Sequence, residues 1–174
     1  LNSTPSRRLV FLGKVVGAHG VRGALKVGTA EPQPELFAAL GEVHIGPTRH
    51  RVLQAQAGRR CVLLKVEGIT TREEAEARRG QAVEAEAERF PPLPPGEYYH
   101  FQLVGLTVVA ADTGEVLGEL TDIIPTPAHD VYVVRHGSRE ILLPAVEEVV
   151  REVDPAGGRM LVQPPPGLLD MYAD

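Results

Sequence analysis

Hydrophobic and polar positions alternate in short runs along most of the chain, and most runs end at Gly or Pro. Residues 9–16 and 24–29 are rich in β-branched and apolar side chains, and 42–45, 51–55 and 61–67 repeat the pattern; each predicts a strand. Between the first two lies Gly17-Ala18-His19-Gly20-Val21-Arg22-Gly23, whose three glycines permit a tight reversal. Two short helices interrupt the strands. One covers residues 34–40 and stops at Gly41. The other opens on Thr71-Arg72-Glu73-Glu74, a capping box in which the threonine oxygen serves the amide three residues on and Glu74 reaches back. That helix is expected over 72–79, ending at Gly80, and a strand at 81–84 then returns to the first sheet.

Phe90-Pro91-Pro92-Leu93-Pro94-Pro95-Gly96 breaks the pattern, because five of its seven residues are proline or glycine. Such a segment is stiff, extended and unfit for a sheet interior. It marks a boundary, with domains expected at residues 1–89 and 98–174 and a linker at 90–97. After it, strands are expected at 106–110, 115–124, 130–135, 140–143, 151–153 and 159–163, with turns at Ala111-Asp112-Thr113-Gly114, His136-Gly137-Ser138-Arg139 and 154–158. Residues 145–150 suit either a helical turn or a short strand. The tail ends apolar, and Leu168, Leu169 and Met171 are expected to dock on the second domain. The fold class expected is all-β, two small β-barrels joined by a Pro-rich linker.

Charge adds a division that hydropathy does not carry. The chain of 174 residues has a net charge of −5, yet residues 1–90 hold 14 basic and 10 acidic groups, and residues 91–174 hold 4 and 13. A basic half suits phosphate and an acidic half suits a basic protein, unless both are merely solvated faces. Arg7, Arg8, Arg49, Arg51, Arg59 and Arg60 enlarge the basic total, although 15 arginines against 3 lysines indicate a general bias. No apolar run approaches the length of a membrane span, and the first residues lack a signal-peptide pattern; a cytosolic location is expected. Cys61 is the only cysteine and sits in an apolar run, as a small buried hydrophobe would.

The glycine-rich turn offers candidate chemistry. With Lys14, His19, Arg22 and Lys26 around it, its backbone amides could form a phosphate nest that touches rRNA; its glycines could equally serve geometry alone. A strand follows it, so it is not a Walker loop. Tyr98-Tyr99, at the mouth of the linker, is either inter-domain core or a protein-contact anchor, a role in which tyrosine gives large area at modest entropic cost. The six histidines show no metal spacing, and no nucleophile elbow occurs. No metal, cofactor or catalytic residue is expected.

Three stretches together resemble the RimM-type 16S rRNA processing proteins. They are residues 13–27 around the glycine turn, Glu97-Tyr98-Tyr99 running into Leu103-Val104-Gly105-Leu106, and Asp130-Val131 through Ile141-Leu142-Leu143-Pro144 to Leu168-Leu169-Asp170. They span nearly the whole chain. The resemblance implies a translation-factor-like first barrel and a PRC barrel second. It also implies association with the small-subunit head through ribosomal protein nineteen (the uS19 family), with Tyr98 and Tyr99 engaging that protein, and a non-enzymatic role in maturing small-subunit rRNA. Two positions depart from the family pattern: Gln102 stands where an acidic residue is usual, and His129 where Asn is common. Both read as local changes in capping or turn bonding. The alternatives are a free-standing RNA-binding barrel and a flavin-binding or rRNA-processing enzyme. The former wants exposed aromatics on the first strands, where only Phe11, Phe37 and Phe90 are available.

Overall fold

The computed structural model describes residues 8–29 and 32–172. It divides into two compact units, Leu1–Pro92 and Leu93–Asp174.

The first unit holds β1 (Leu9–His19), β2 (Ala24–Gly28), β3 (Glu42–Ile45), β4 (Thr48–Gly58), β5 (Cys61–Val66) and β6 (Ala82–Glu86), with α1 (Pro34–Leu40) and α2 (Arg72–Glu76) between them. The ladders run β1-β2-β5-β4-β3-β6, and β6 pairs back onto β1 to close the ring. Alternation explains its interior. Leu25 and Val27 of β2, Val62, Leu64 and Val66 of β5, and Val43 and Ile45 of β3 are all fully buried. Phe37 of α1 and Ala75 of α2 join this core. Cys61 is buried, as its apolar run predicts.

The capping box differs slightly from expectation. Glu74 N donates to Thr71 Oγ1 at 3.1 Å, but the Glu74 carboxylate receives the amide of Thr70, one residue before the cap, at 3.3 Å. The helix stops at Glu76, short of the expected Arg79, and residues 77–80 continue as turns.

The second unit holds α3 (His100–Leu103), β7 (Thr107–Ala110), β8 (Val116–Ile124), β9 (Val131–His136), β10 (Arg139–Pro144), β11 (Val150–Asp154) and β12 (Arg159–Val162). Its order is β10-β9-β8-β7-β12-β11. Strands β7 to β10 form a meander. The chain then returns across residues 145–149 and lays β12 parallel to β7. Leu117, Leu120, Ile141, Leu143 and Met160 fill the core under this sheet.

The expected fold class, all-β with two small barrels, is therefore corrected. Three α-helices are present among the described residues, and the second sheet is open, with β10 and β11 at its two edges. Closure depends on which distant strands pair, and a period-2 pattern carries no information about that. Helix α3 has only four residues, too few to show a helical period. In the tail, Leu168 and Leu169 pack against the second core as expected, but Met171 is 78% exposed.

Candidate functional site

In the first unit the glycine turn sits beside a cleft of about 460 Å³ on the outer face of β2, β5 and β4, lined by His19, Arg22, Gln54, Gln56, Leu63 and Lys65, with Gly20, Val21 and Ala24. Strand register builds it. Lys26 pairs with Leu63 across β2 and β5, while Gln54 pairs with Lys65 and Gln56 with Leu63 across β4 and β5. A bulge between Val52 and Gln54 takes up the odd residue. Val52 and Ala55 both pack on the core, so Leu53 and Gln54 both face out, and Gln56 follows them.

Side chains tie the turn down through its carbonyl oxygens. Arg72 Nη1 donates to Gly20 O at 2.9 Å, Arg79 Nε to Val16 O at 3.0 Å, and Lys65 Nζ to Arg22 O. Glu76 accepts the amide of Ala18 at 3.1 Å. Gly23, at φ +86°, lies so close to Ile69 that a Cβ there would stand 2.6 Å from its carbonyl oxygen.

Of the four cations singled out in the sequence, His19 and Arg22 line the cleft. Lys26 stands exposed on β2, beside Leu63 on the same outer face. Lys14 is exposed on β1 opposite Gly28, three residues, or roughly 10 Å of strand, from Gly17, the partner of Lys26. Lys65, Gln54 and Gln56 join the cleft from β5 and β4, away from the glycine turn. The Gln-Ala-Gln alternation inside β4 is the signal that was there to read. Arg7, counted above among the cations, lies outside the described residues. Phe37 is buried, whereas Phe11 is 60% exposed.

In the second unit the two adjacent tyrosines part company. Tyr98 packs against the second core and lines a groove of about 480 Å³ with Tyr132, Val146, Val150, Val153, Glu147, Arg151 and Glu152 among its walls. Tyr99 caps α3 and stacks on Phe101, with ring centroids 5.5 Å apart and planes 12° from parallel. Gln102 accepts the Tyr99 amide at 2.8 Å, so the departure from the acidic residue keeps a local cap. His129 turns its Nδ1 to Asp130 O at 2.9 Å and its amide to Thr126 Oγ1 at 3.2 Å, which is turn bonding. Burial, and then the nearby Asp130 carboxylate, hold the Tyr132 phenol above its ordinary pKa. Desolvation raises that of Tyr99.

A third cluster lies elsewhere in the first unit. Glu42, His44 and Glu86 bring ligand-type atoms within 4.8 Å of one another. Their carboxylates already hold guanidinium groups: Arg49 Nε is 2.9 Å from Glu42, Arg49 Nη2 is 3.3 Å from Glu86, and Arg89 Nη2 is 3.3 Å from Glu42. The cluster is an ion network of these carboxylates and guanidinium groups, with His44 Nε2 3.7 Å from Glu86.

The model of the RimM N-terminal domain matches residues 10–90, and that of the RimM PRC barrel domain matches residues 100–168. The ribosome maturation factor RimM of Desulfitobacterium hafniense (strain Y51) is 44% identical over 165 residues, covering 92% of this chain and 95% of that one. The chain belongs to the RimM family. The RimM proteins of Geotalea daltonii (strain FRC-32), 40% identical over 92% of this chain and 95% of theirs, and of Dehalococcoides mccartyi (strain 195), 36% identical over 96% and 99%, agree. As a RimM-family ribosome maturation factor, the protein is an assembly factor and not an enzyme, and its family acts in small-subunit maturation. No described helix is long and apolar enough to cross a membrane.

Proposed function

We propose that the protein binds the immature small subunit by two surfaces, one for a ribosomal protein and one for rRNA. The second unit docks on ribosomal protein nineteen of the uS19 family through the groove at Tyr98, with Tyr99 beside it. The first unit contacts the rRNA backbone through His19 and Arg22, extended by Lys26 and Lys14. Binding of this kind favours one conformation of the particle over its alternatives, because the factor binds that conformation better. The proposed place of action is the cytoplasm.

The observation that carries the reading is the make-up of the groove. Tyr98, Tyr132 and three valines offer an apolar floor, and Glu147 and Glu152 stand at it with a single opposing cation, Arg151. Tyrosine on an apolar floor is what binding hot spots favour. Acidic residues there complement a basic partner and speed its encounter. The wider field has the same sign, since residues 91–174 carry 13 acidic groups against 4 basic ones.

The test is co-sedimentation with small subunits. Tyr98→Ala combined with Tyr99→Ala is expected to leave a folded protein that no longer travels with the particle. Undiminished co-sedimentation of that folded variant removes the site.

A further inference from the structure

The cleft beside the glycine turn is equipped for more than phosphate, and we propose that it receives one unpaired nucleotide of RNA, whose base is read by Gln54 and Gln56. The proposal rests on the RNA contact argued above for His19 and Arg22 and adds a base to it.

The cleft has three kinds of lining. Leu63, Val21 and Ala24 offer apolar surface for the face of a base. Arg22, His19 and Lys65 supply cations, and none of the described residues lining the cleft is acidic. Lys65 gives protons to Arg22 O and Ile69 O, which leaves its third for a phosphate oxygen. Arg22 presents a planar guanidinium that can stack on a base as well as pair with phosphate. The third kind is the pair of glutamines. Each amide carries two donors and an acceptor, the complement of a base edge. Among the described residues, no hydrogen-bond partner engages either amide, the His19 ring or the Arg22 guanidinium.

The glutamines owe their placement to the β4 bulge, which turns Gln54 outward beside Lys65 while Ala55 keeps its place on the core. At about 460 Å³ the cleft lies within the roughly 300–1,000 Å³ of small-molecule sites. A base still stacked in a duplex cannot enter it, because the base edges of an RNA helix lie in a groove too narrow for side chains or one too shallow to project them. The occupant is therefore a nucleotide of a loop, a bulge or a single strand.

Fluorescence anisotropy of the two-unit chain with labelled short single-stranded homopolymers of A, C and U, with a duplex, and with an acidic peptide tests this. The single strands are expected to bind better than the duplex, and at least one homopolymer to be preferred by about tenfold. Gln54→Ala with Gln56→Ala, both on exposed positions, should abolish that preference and leave the salt dependence intact. Arg22→Ala should weaken all RNAs alike and lower the salt slope. If the duplex binds equally well, if no base is preferred, or if the glutamine variant keeps the preference, the base pocket is wrong while backbone contact stands. If no RNA binds, or the acidic peptide binds better, both readings fall.

Discussion

Arg72, on the first turn of α2, donates from Nη1 to the carbonyl oxygen of Gly20 at 2.9 Å, across 52 residues of sequence. The bond fixes the glycine turn to a helix that is itself anchored in the first core by Ala75. Phosphate and base sites work best when their loops are held before the ligand arrives. Arg72→Ala is therefore expected to speed amide exchange across residues 17–23 while leaving the melting temperature of the unit nearly unchanged, since the bond is exposed. Exchange mass spectrometry of that peptide checks it; unchanged rates would show that Arg72 does not hold the turn.

The glycines of the turn are not equivalent. Gly20 and Gly23 both adopt positive φ, but a Cβ on Gly20 meets nothing within 4 Å, whereas one on Gly23 collides with Ile69 backbone. Gly20→Ala should cost about 1 kcal/mol, the left-handed penalty alone. Gly23→Ala should cost roughly 3 kcal/mol, because overpacking adds to it. Chemical denaturation of the two variants side by side decides, and equal losses would show that the approach of Gly23 to Ile69 carries no such constraint.

The ion network predicts an asymmetry between its charges. Glu86 is 7% exposed, while the Arg49 and Arg89 side chains are about half and two-fifths exposed. Removing both arginines takes two cations from a buried carboxylate and should cost about 2–3 kcal/mol, less than a fully buried pair because solvent screens the guanidinium groups. Adding Glu86→Gln to the Arg49→Ala, Arg89→Ala protein should recover part of that loss. A triple variant no more stable than the double one would contradict it.

Tyr132 gives the second unit an alkaline limit. Its phenol is held neutral by burial and by Asp130, so the unfolded chain releases this proton before the folded one does. The stabilisation is complete below a pH of about 10 and is lost as pH rises through the folded value. Tyr132→Phe keeps the ring and removes the proton. Thermal melts should fall less steeply with rising alkalinity in this variant than in the unaltered protein, and parallel declines would count against the assignment.

The strands are legible because they rest on local chemistry: alternation selects a face. Thr71 likewise announces its helix through a hydroxyl three residues from the amide it serves. What stayed hidden is long-range. Nothing in residues 159–162 reveals that β12 lies parallel to β7, and so the open second sheet was not foreseen. The glycine turn draws the eye to His19 and Arg22, but Lys65 and Gln54 line the same cleft only through the β4–β5 register and a bulge. Tyr132 shares its groove with Tyr98 from 34 residues away, a proximity that only the folded sheet creates. Met171 is apolar and yet exposed, while Leu168 and Leu169 of the same tail pack on the core.

The most direct test is photocrosslinking on immature small subunits, with a benzophenone residue installed in place of Glu147 at the groove or of Arg22 at the cleft. The account predicts that the probe at position 147 labels the uS19-family protein and the probe at position 22 labels rRNA. Crosslinks in the opposite sense, or labelling of the particle from neither position while the protein remains bound, would contradict it.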